Sequence, residues 1–182
     1  MSLQKGDKQM LTLSIVRHAK SSWGDPGLRD IDRPLNDRGK GQAQQLGNYM
    51  SDEMIAPDLI ICSSAKRARQ TLKQMKKNWL SEAELIIESR LYLASPNTIT
   101  ALLGEYGQNH SHIMIIGHNP GLHMLAHKLA VRGDDDDLAI LQEKYPTGTL
   151  CGIRSKADKW KKIGKAAGTL IYLATPRQLA TR

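Results

Sequence analysis

Short apolar runs alternate with helix-like stripes along most of this chain, and that alternation limits the folds open to it more than any other feature. Leu11–Val16, Leu59–Cys62, Leu85–Ile87 and Ile113–Ile116 are apolar stretches bounded by polar residues. They are too short for packed helices, and such short β-rich runs between helical patterns suit the strands of a parallel sheet covered on both sides. Helical patterns fill the intervals. Asn36 is placed to cap a helix running to about Met50, with Ala43, Leu46 and Met50 on one face. Ser63 or Ser64 can cap a second, whose stripe is Ala65, Ala68, Leu72, Met75 and Trp79. Ser95–Pro96 reads as a cap followed by proline in the first turn, with Ile99, Leu102, Leu103 and Tyr106 behind it. Asn119–Pro120 repeats that signal ahead of Leu122, Leu125, Ala126 and Leu129. Thr149–Arg154 and Thr169–Ala174 read as a closing antiparallel pair. Together these elements predict an α/β fold with a mostly parallel open sheet between two layers of helices.

A chain of 182 residues can bury one core without staples, so residues 11–182 are expected to form a single domain, with 1–10 a disordered polar tail. Cys62 and Cys151 both lie in apolar runs. They read as buried free thiols in a reducing compartment rather than a disulfide framework. No apolar run reaches the ~18 residues that cross a bilayer, and Met10–Val16 lacks a following cleavage site, so the expected location is cytoplasmic with no membrane partner. The net charge of +8, concentrated at Lys73–Lys77 and Arg154–Lys165, favours anionic partners. Aromatics make up only 4% of residues, too few for a base-stacking platform, and no nucleic-acid partner is expected. The acidic run Asp134–Asp137 fits a loop or the first turn of a helix.

Chemistry concentrates at strand ends. His18 follows the first run and His118 the fourth, and in open α/β sheets ligands bind at the carboxyl ends of the strands. Arg17 precedes His18, and Arg67 falls in the first turn after Leu59–Cys62. Two guanidinium forks and two imidazoles suit a dianionic tetrahedral group. A helix starting near Asn119 would add its free N–H groups. Nothing in this set calls for a metal or other cofactor. A neutral imidazole is a competent nucleophile at phosphorus, and neighbouring Arg17 and Arg67 would help keep His18 neutral. The cations also neutralise the equatorial oxygens, which is most of what phosphoryl transfer requires. Of the other histidines, His110 and His112 fit a helix-to-strand turn. His123 and His127 are spaced like helix-borne metal ligands, but Met124 stands where a zincin has glutamate.

At these residues the chain resembles the histidine phosphatase superfamily. Val16-Arg17-His18-Ala19-Lys20-Ser21-Ser22-Trp23 is similar to its Arg-His-Gly signature, Ser63–Thr71 to its second motif, and Gly117-His118-Asn119-Pro120 to its third. Asp30-Ile31-Asp32-Arg33-Pro34-Leu35 with Arg38-Gly39, and the later Pro146-Thr147-Gly148 and Thr175-Pro176-Arg177, most resemble the SixA-type phosphohistidine phosphatase branch. The resemblance spans roughly residues 11–177. It implies a phosphoglycerate-mutase-like three-layer α/β/α fold and His18 as phospho-acceptor. It also implies Arg17, Arg67 and His118 as its catalytic partners, Ser21 and Asn119 as substrate contacts, and no metal.

The chain departs from the family at Ala19, Lys20 and Gly24, where glycine, glutamate and asparagine are common. The general-acid glutamate usually follows the third strand, where this chain reads Glu88-Ser89-Arg90-Leu91-Tyr92-Leu93. Glu88 is a weak substitute there, and Asp25, Asp30 and Asp32 remain open alternatives. An alkoxide leaving group gains ~10²–10⁴-fold from a positioned acid, whereas a protonated phosphoramidate leaves readily without one. The expected activity is therefore metal-independent hydrolysis of phosphohistidine on a partner protein. The alternatives are a general phosphatase for small phosphorylated substrates and a non-catalytic phosphate-binding protein.

Overall fold

The computed structural model describes residues 10–181. The tail expected at 1–10 therefore lies outside the described residues, apart from Met10, which is exposed. Seven strands form one sheet in the order β3-β2-β4-β1-β6-β7-β5. They are β1 (Leu11–Arg17), β2 (Leu59–Ser63), β3 (Glu84–Glu88), β4 (His112–Gly117), β5 (Ala130–Arg132), β6 (Leu150–Ser155) and β7 (Gly168–Ala174). The β1–β4, β2–β4, β2–β3 and β5–β7 pairings are parallel, and β6 runs antiparallel to both β1 and β7.

Side chains alternate across the sheet and divide the core in two. On one face Leu13, Ile15, Leu59, Ile61, Ile113 and Ile115 pack under α3 (Pro96–Tyr106), α4 (Gly121–Leu129) and α5 (Asp135–Glu143). On the other, Val16, Ile60, Cys62, Met114 and Ile116 pack under α1 (Asp37–Asp52) and α2 (Lys66–Met75). This explains why β2 and β4 have no polar face. The edge strand β3 departs from the expectation, with Leu85 and Ile87 exposed because no neighbouring strand or helix layer among the described residues closes over that edge. Both cysteines are buried free thiols that burial pushes up to about 12, which leaves them unreactive.

The helix starts follow the sequence in two places and depart from it in two. Asn36 Oδ1 accepts from Gly39 N at 2.9 Å, and Ser95 Oγ accepts from Thr98 N with Pro96 in the first turn. Asp134 caps α5, with Asp135–Asp137 in its first turn. Neither Ser63 nor Ser64 caps α2; Ala65 holds that position without a side-chain bond, because Ser63 Oγ is engaged with His118. Asn119 does not cap α4, which starts at Gly121, because its amide donates to the Tyr145 carbonyl instead. The stripe through Trp79 also overruns its helix. α2 ends at Met75, and Trp79 is buried in the following turn with its indole N–H on the Ile55 carbonyl. The short β5, hidden at the end of the α4 stripe, has no sequence signature of its own.

The connections fix where a ligand can sit. β1 and β4 are parallel neighbours, yet α1 leaves β1 toward one face and α4 leaves β4 toward the other. That divergence opens a crevice at their carboxyl ends. The loop leaving β1 is pressed against α1 at Gly39, where a Cβ would collide with the Lys20 carbonyl oxygen. Gly148, at φ +78°, donates its N–H to the carbonyls of Arg17 and His18 and closes the same loop from the other side. No helix among the described residues is long and apolar enough to cross a membrane.

Candidate active site

The β1–β4 register pairs Arg17 with Gly117, so the next residues, His18 and His118, emerge side by side. His18 N–H donates to the Gly117 carbonyl at 3.1 Å, and the two imidazole centroids lie 5.1 Å apart. Both rings are buried. The carbonyl of Ala19 can only accept, so its 2.8 Å contact with His18 Nδ1 places the proton on Nδ1. Arg67 Nε can only donate, and at 3.2 Å it points at His18 Nε2, which must present its lone pair. Neighbours on both sides thus fix one tautomer, with the nucleophilic nitrogen facing Arg67.

His118 is held differently. Its Nε2 lies 2.8 Å from Ser63 Oγ, the last residue of β2. Ser63 Oγ accepts from Ala65 N and can donate its own hydrogen to His118 Nε2, the arrangement that leaves the proton on Nδ1. That Nδ1 is buried without a partner among the described residues, as is Arg17 Nε. Arg17 spends one terminal nitrogen on the Tyr145 carbonyl at 2.7 Å, which Asn119 Nδ2 also reaches at 3.0 Å. Buried donors without partners are costly, and an oxyanion between these residues would meet them. Thr149 Oγ1, on the backbone segment paired with Arg17, is a further unpartnered hydroxyl, and Asn119 Oδ1 an unpartnered acceptor.

The third layer of the site comes from the 3-10 turn Asp30–Asp32 and the segment after it. Arg67 is 4% exposed at the side chain and places both terminal nitrogens on Asp30: Nη1 on the backbone carbonyl and Nη2 on Oδ2 at 2.8 Å. Arg33, also buried, donates to Asp30 Oδ1 at 2.8 Å and to Ser21 Oγ at 2.6 Å, and Trp23 stacks across its guanidinium. Tyr92 donates to Asp30 Oδ2 at 2.6 Å and stands edge-on to His118, with ring centroids 5.3 Å apart. Hydrogen bonds from Tyr92, then Arg33 and Arg67, hold the Asp30 carboxyl far below the usual carboxylate range. It is thus an anion in the resting site.

Six residues were expected here. His18, His118, Arg67 and Arg17 converge as expected. Ser21 is present but gives a lone pair to Arg33, and Asn119 is turned to the Tyr145 carbonyl. Arg33, Asp30 and Tyr92 received no definite role from the sequence; the signal was an arginine three residues after an aspartate and a tyrosine beyond the third strand. Glu88 is excluded as an acid at this site. It caps the turn Ser89–Leu91, and Arg90 (2.7 Å) and Tyr106 (2.6 Å) bind its carboxylate. These contacts, Arg90 first, hold it at about 2. His123 is likewise engaged, with Nε2 on the Leu141 carbonyl and its ring stacked on Tyr145.

Burial, more than the cations, keeps His18 neutral. It lowers the imidazole to about 4, with Arg67, Arg17 and Arg33 adding to the effect and the Ala19 carbonyl opposing it. His118 falls to about 3, again chiefly through burial. As pH drops through ~6.5, unfolded histidine takes up protons that the folded site refuses. Folding stability from these groups is therefore present above ~6.5 and is lost as pH falls toward about 4. The nucleophile itself persists lower. With the substrate's own ionisation allowed for, the acid limb of kcat/KM for p-nitrophenyl phosphate should be centred at about 4, and a limb centred at ~6.5 would contradict a buried neutral imidazole.

A family profile described as "Histidine phosphatase superfamily (branch 1)" matches residues 13–92, which include His18 and Arg67. An uncharacterized protein of Mycobacterium tuberculosis (strain ATCC 25618 / H37Rv) is 34% identical over 164 residues, covering 89% of this chain and all of that one. The putative phosphohistidine phosphatase SixA from Agrobacterium tumefaciens superposes with a TM-score of 0.75 at 27% identity, covering 91% of this chain and 98% of that chain. This chain belongs to the histidine phosphatase superfamily, in its SixA-type branch. A second such structure, the putative phosphohistidine phosphatase SixA from Nakamurella multipartitia, gives a TM-score of 0.78 at 24% identity over 92% of this chain and 96% of that one. Superfamily membership supports phosphatase activity for this chain. The sheet and its helices have the phosphoglycerate-mutase-like arrangement.

Proposed function

We propose that this chain hydrolyses phosphohistidine on a partner protein, through a covalent phosphoryl intermediate on His18. His18 Nε2 attacks phosphorus. Arg67 Nε, Arg17 Nε and His118 Nδ1 donate to the equatorial oxygens, where charge must be stabilised. Water then attacks the phosphorus of phosphorylated His18. The Nε2–P bond breaks with its electron pair returning to Nε2, the water's proton leaves on the phosphate, and Nδ1–H remains on the Ala19 carbonyl throughout. No step requires a metal.

The observation that carries the substrate class is the fate of Glu88. The carboxylate nearest the family's general-acid place is locked by Arg90 and Tyr106, and Asp30 is ionised among arginines. Neither can protonate an alkoxide, and a leaving group that needs no proton from the enzyme suits such a site. Rates on a phosphohistidine peptide, p-nitrophenyl phosphate and a simple alkyl phosphate should be compared side by side. The peptide and the aryl ester should exceed the alkyl ester by about 10²-fold or more in kcat/KM. Comparable rates on all three would identify a broad small-molecule phosphatase with an acid supplied some other way. Phosphate binding without turnover of any substrate would indicate a non-catalytic phosphate sensor.

A further inference from the structure

Resting on the phosphohistidine reading above, we infer that Asp30 determines specificity by accepting a hydrogen bond from the protonated ring of an imidazole leaving group. An ionised carboxylate offers about four acceptor positions. Three are occupied, by Tyr92 Oη and Arg67 Nη2 on Oδ2 and by Arg33 Nη1 on Oδ1. One position on Oδ1 is left. The Asp30 side chain is 43% exposed, against 4% for Arg67 and 8% for Arg33, so the carboxylate lies between these guanidiniums and solvent.

In-line transfer expels the leaving group on the side of phosphorus opposite the nucleophile. His18 and Arg67 are buried while the Asp30 side chain is 43% exposed, so a leaving group expelled toward solvent would pass Asp30 and its partner Tyr92. Phosphoimidazole leaves poorly as an anion and well once its distal ring nitrogen carries a proton. In the transfer step the His18 Nε2–P bond forms and the P–N bond breaks. The P–N electron pair stays on the departing ring nitrogen. The distal nitrogen keeps its proton, donated to Asp30 Oδ1, and the product is neutral imidazole. No proton crosses to the enzyme. An anionic acceptor favours this cationic group and repels leaving groups that carry carboxylate or phosphate. Asp30 thus takes the place of a general acid for one kind of substrate: it stabilises a proton that the leaving group already carries.

The test compares wild-type protein with Asp30→Asn on N-phosphoimidazole and p-nitrophenyl phosphate, with tungstate inhibition reporting on the phosphate pocket. Asparagine keeps an oxygen for Arg67 and Tyr92 but loses the charge and the acceptor that Arg33 uses, so some loss is expected on every substrate. The substitution should lower kcat/KM for phosphoimidazole at least ~10-fold more than it lowers kcat/KM for p-nitrophenyl phosphate or tungstate affinity. A parallel fall on both substrates and in tungstate affinity would reduce Asp30 to an anchor for Arg67 and overturn the inference. Unchanged rates on both substrates would overturn it too. A second measurement needs no variant. Phosphoimidazole methylated at the distal nitrogen is cationic but has no N–H to donate. Relative to its uncatalysed hydrolysis, wild-type enzyme should accelerate it at least ~10-fold less than the parent compound. Equal acceleration would remove Asp30 from leaving-group recognition while leaving the phosphohistidine reading intact. Failure of wild-type protein to cleave any P–N substrate while cleaving p-nitrophenyl phosphate would overturn that reading, and this inference with it.

Discussion

Replacing His18 by alanine should lower turnover of p-nitrophenyl phosphate by at least about 1,000-fold while leaving the chain folded. The expectation rests on how completely the ring is committed to one protonation state. Its Nδ1–H is fixed on the Ala19 carbonyl, its Nε2 lone pair faces Arg67, and burial holds it neutral to about pH 4. His118, the other imidazole of the site, is 5.1 Å away and its Nε2 is engaged by Ser63 Oγ. The fold should tolerate the change, because the imidazole is a desolvated polar group whose loss removes a burial cost as well as packing. Arg67 would lose the partner of its Nε but keep both bonds to Asp30. Steady-state kinetics with a thermal unfolding curve would check both parts, and rapid-quench mass spectrometry of wild-type protein would seek the phosphorylated intermediate. Substantial residual turnover in a folded variant would move the nucleophile elsewhere, with His118 the first candidate.

Arg67→Ala should be nearly as damaging, with kcat/KM lower by about 10³-fold, and unlike His18→Ala it should also cost stability. Arg67 ties three parts of the site together: Nε on the nucleophile, Nη1 on the Asp30 backbone and Nη2 on the Asp30 carboxylate. Removing it leaves Asp30 facing the phosphate pocket with Arg33 and Tyr92 as remaining partners, so repulsion of the substrate is added to the lost stabilisation. Breaking a buried ion pair costs about 3–5 kcal/mol, and the exposure of Asp30 reduces this here to about 1–3 kcal/mol. Arg67→Lys should recover less than about a tenth of the lost activity, because one ammonium cannot span His18 and Asp30 together. A lysine variant with near-normal kcat would show that charge at this place suffices and that the fork geometry does not matter.

Much of this architecture was legible beforehand because local patterns carried it. The four parallel strands were visible as apolar runs, although only the inner ones owe this to cover on both faces and Leu85 and Ile87 of the edge strand β3 are exposed. Asn36 and Ser95 marked helix starts through side chains acting only three residues away. Where a distant partner competed, the local signal misled. Asn119 has the composition of a cap, but its amide goes to Tyr145 across 26 positions of sequence, and Ser63 is drawn from α2 to His118 across 55. β5 escaped notice because a three-residue strand has no period to detect.

Short motifs suffice to say which chemistry this chain holds: two imidazoles and two guanidiniums at strand ends, with no recognisable acid. What that chemistry can do follows from packing. The β1–β4 register set the two histidines side by side, and the Ala19 carbonyl with Arg67 chose the tautomer of His18. The turn at Asp30 crossed 37 positions to meet Arg67, and the fold turned Glu88 away toward Arg90 and Tyr106. The division has a physical cause. Helix and strand patterns come from contacts a few residues apart, which sequence spacing records directly. A protonation state depends on burial and on charges brought together by chain closure, and neither exists until the chain is packed.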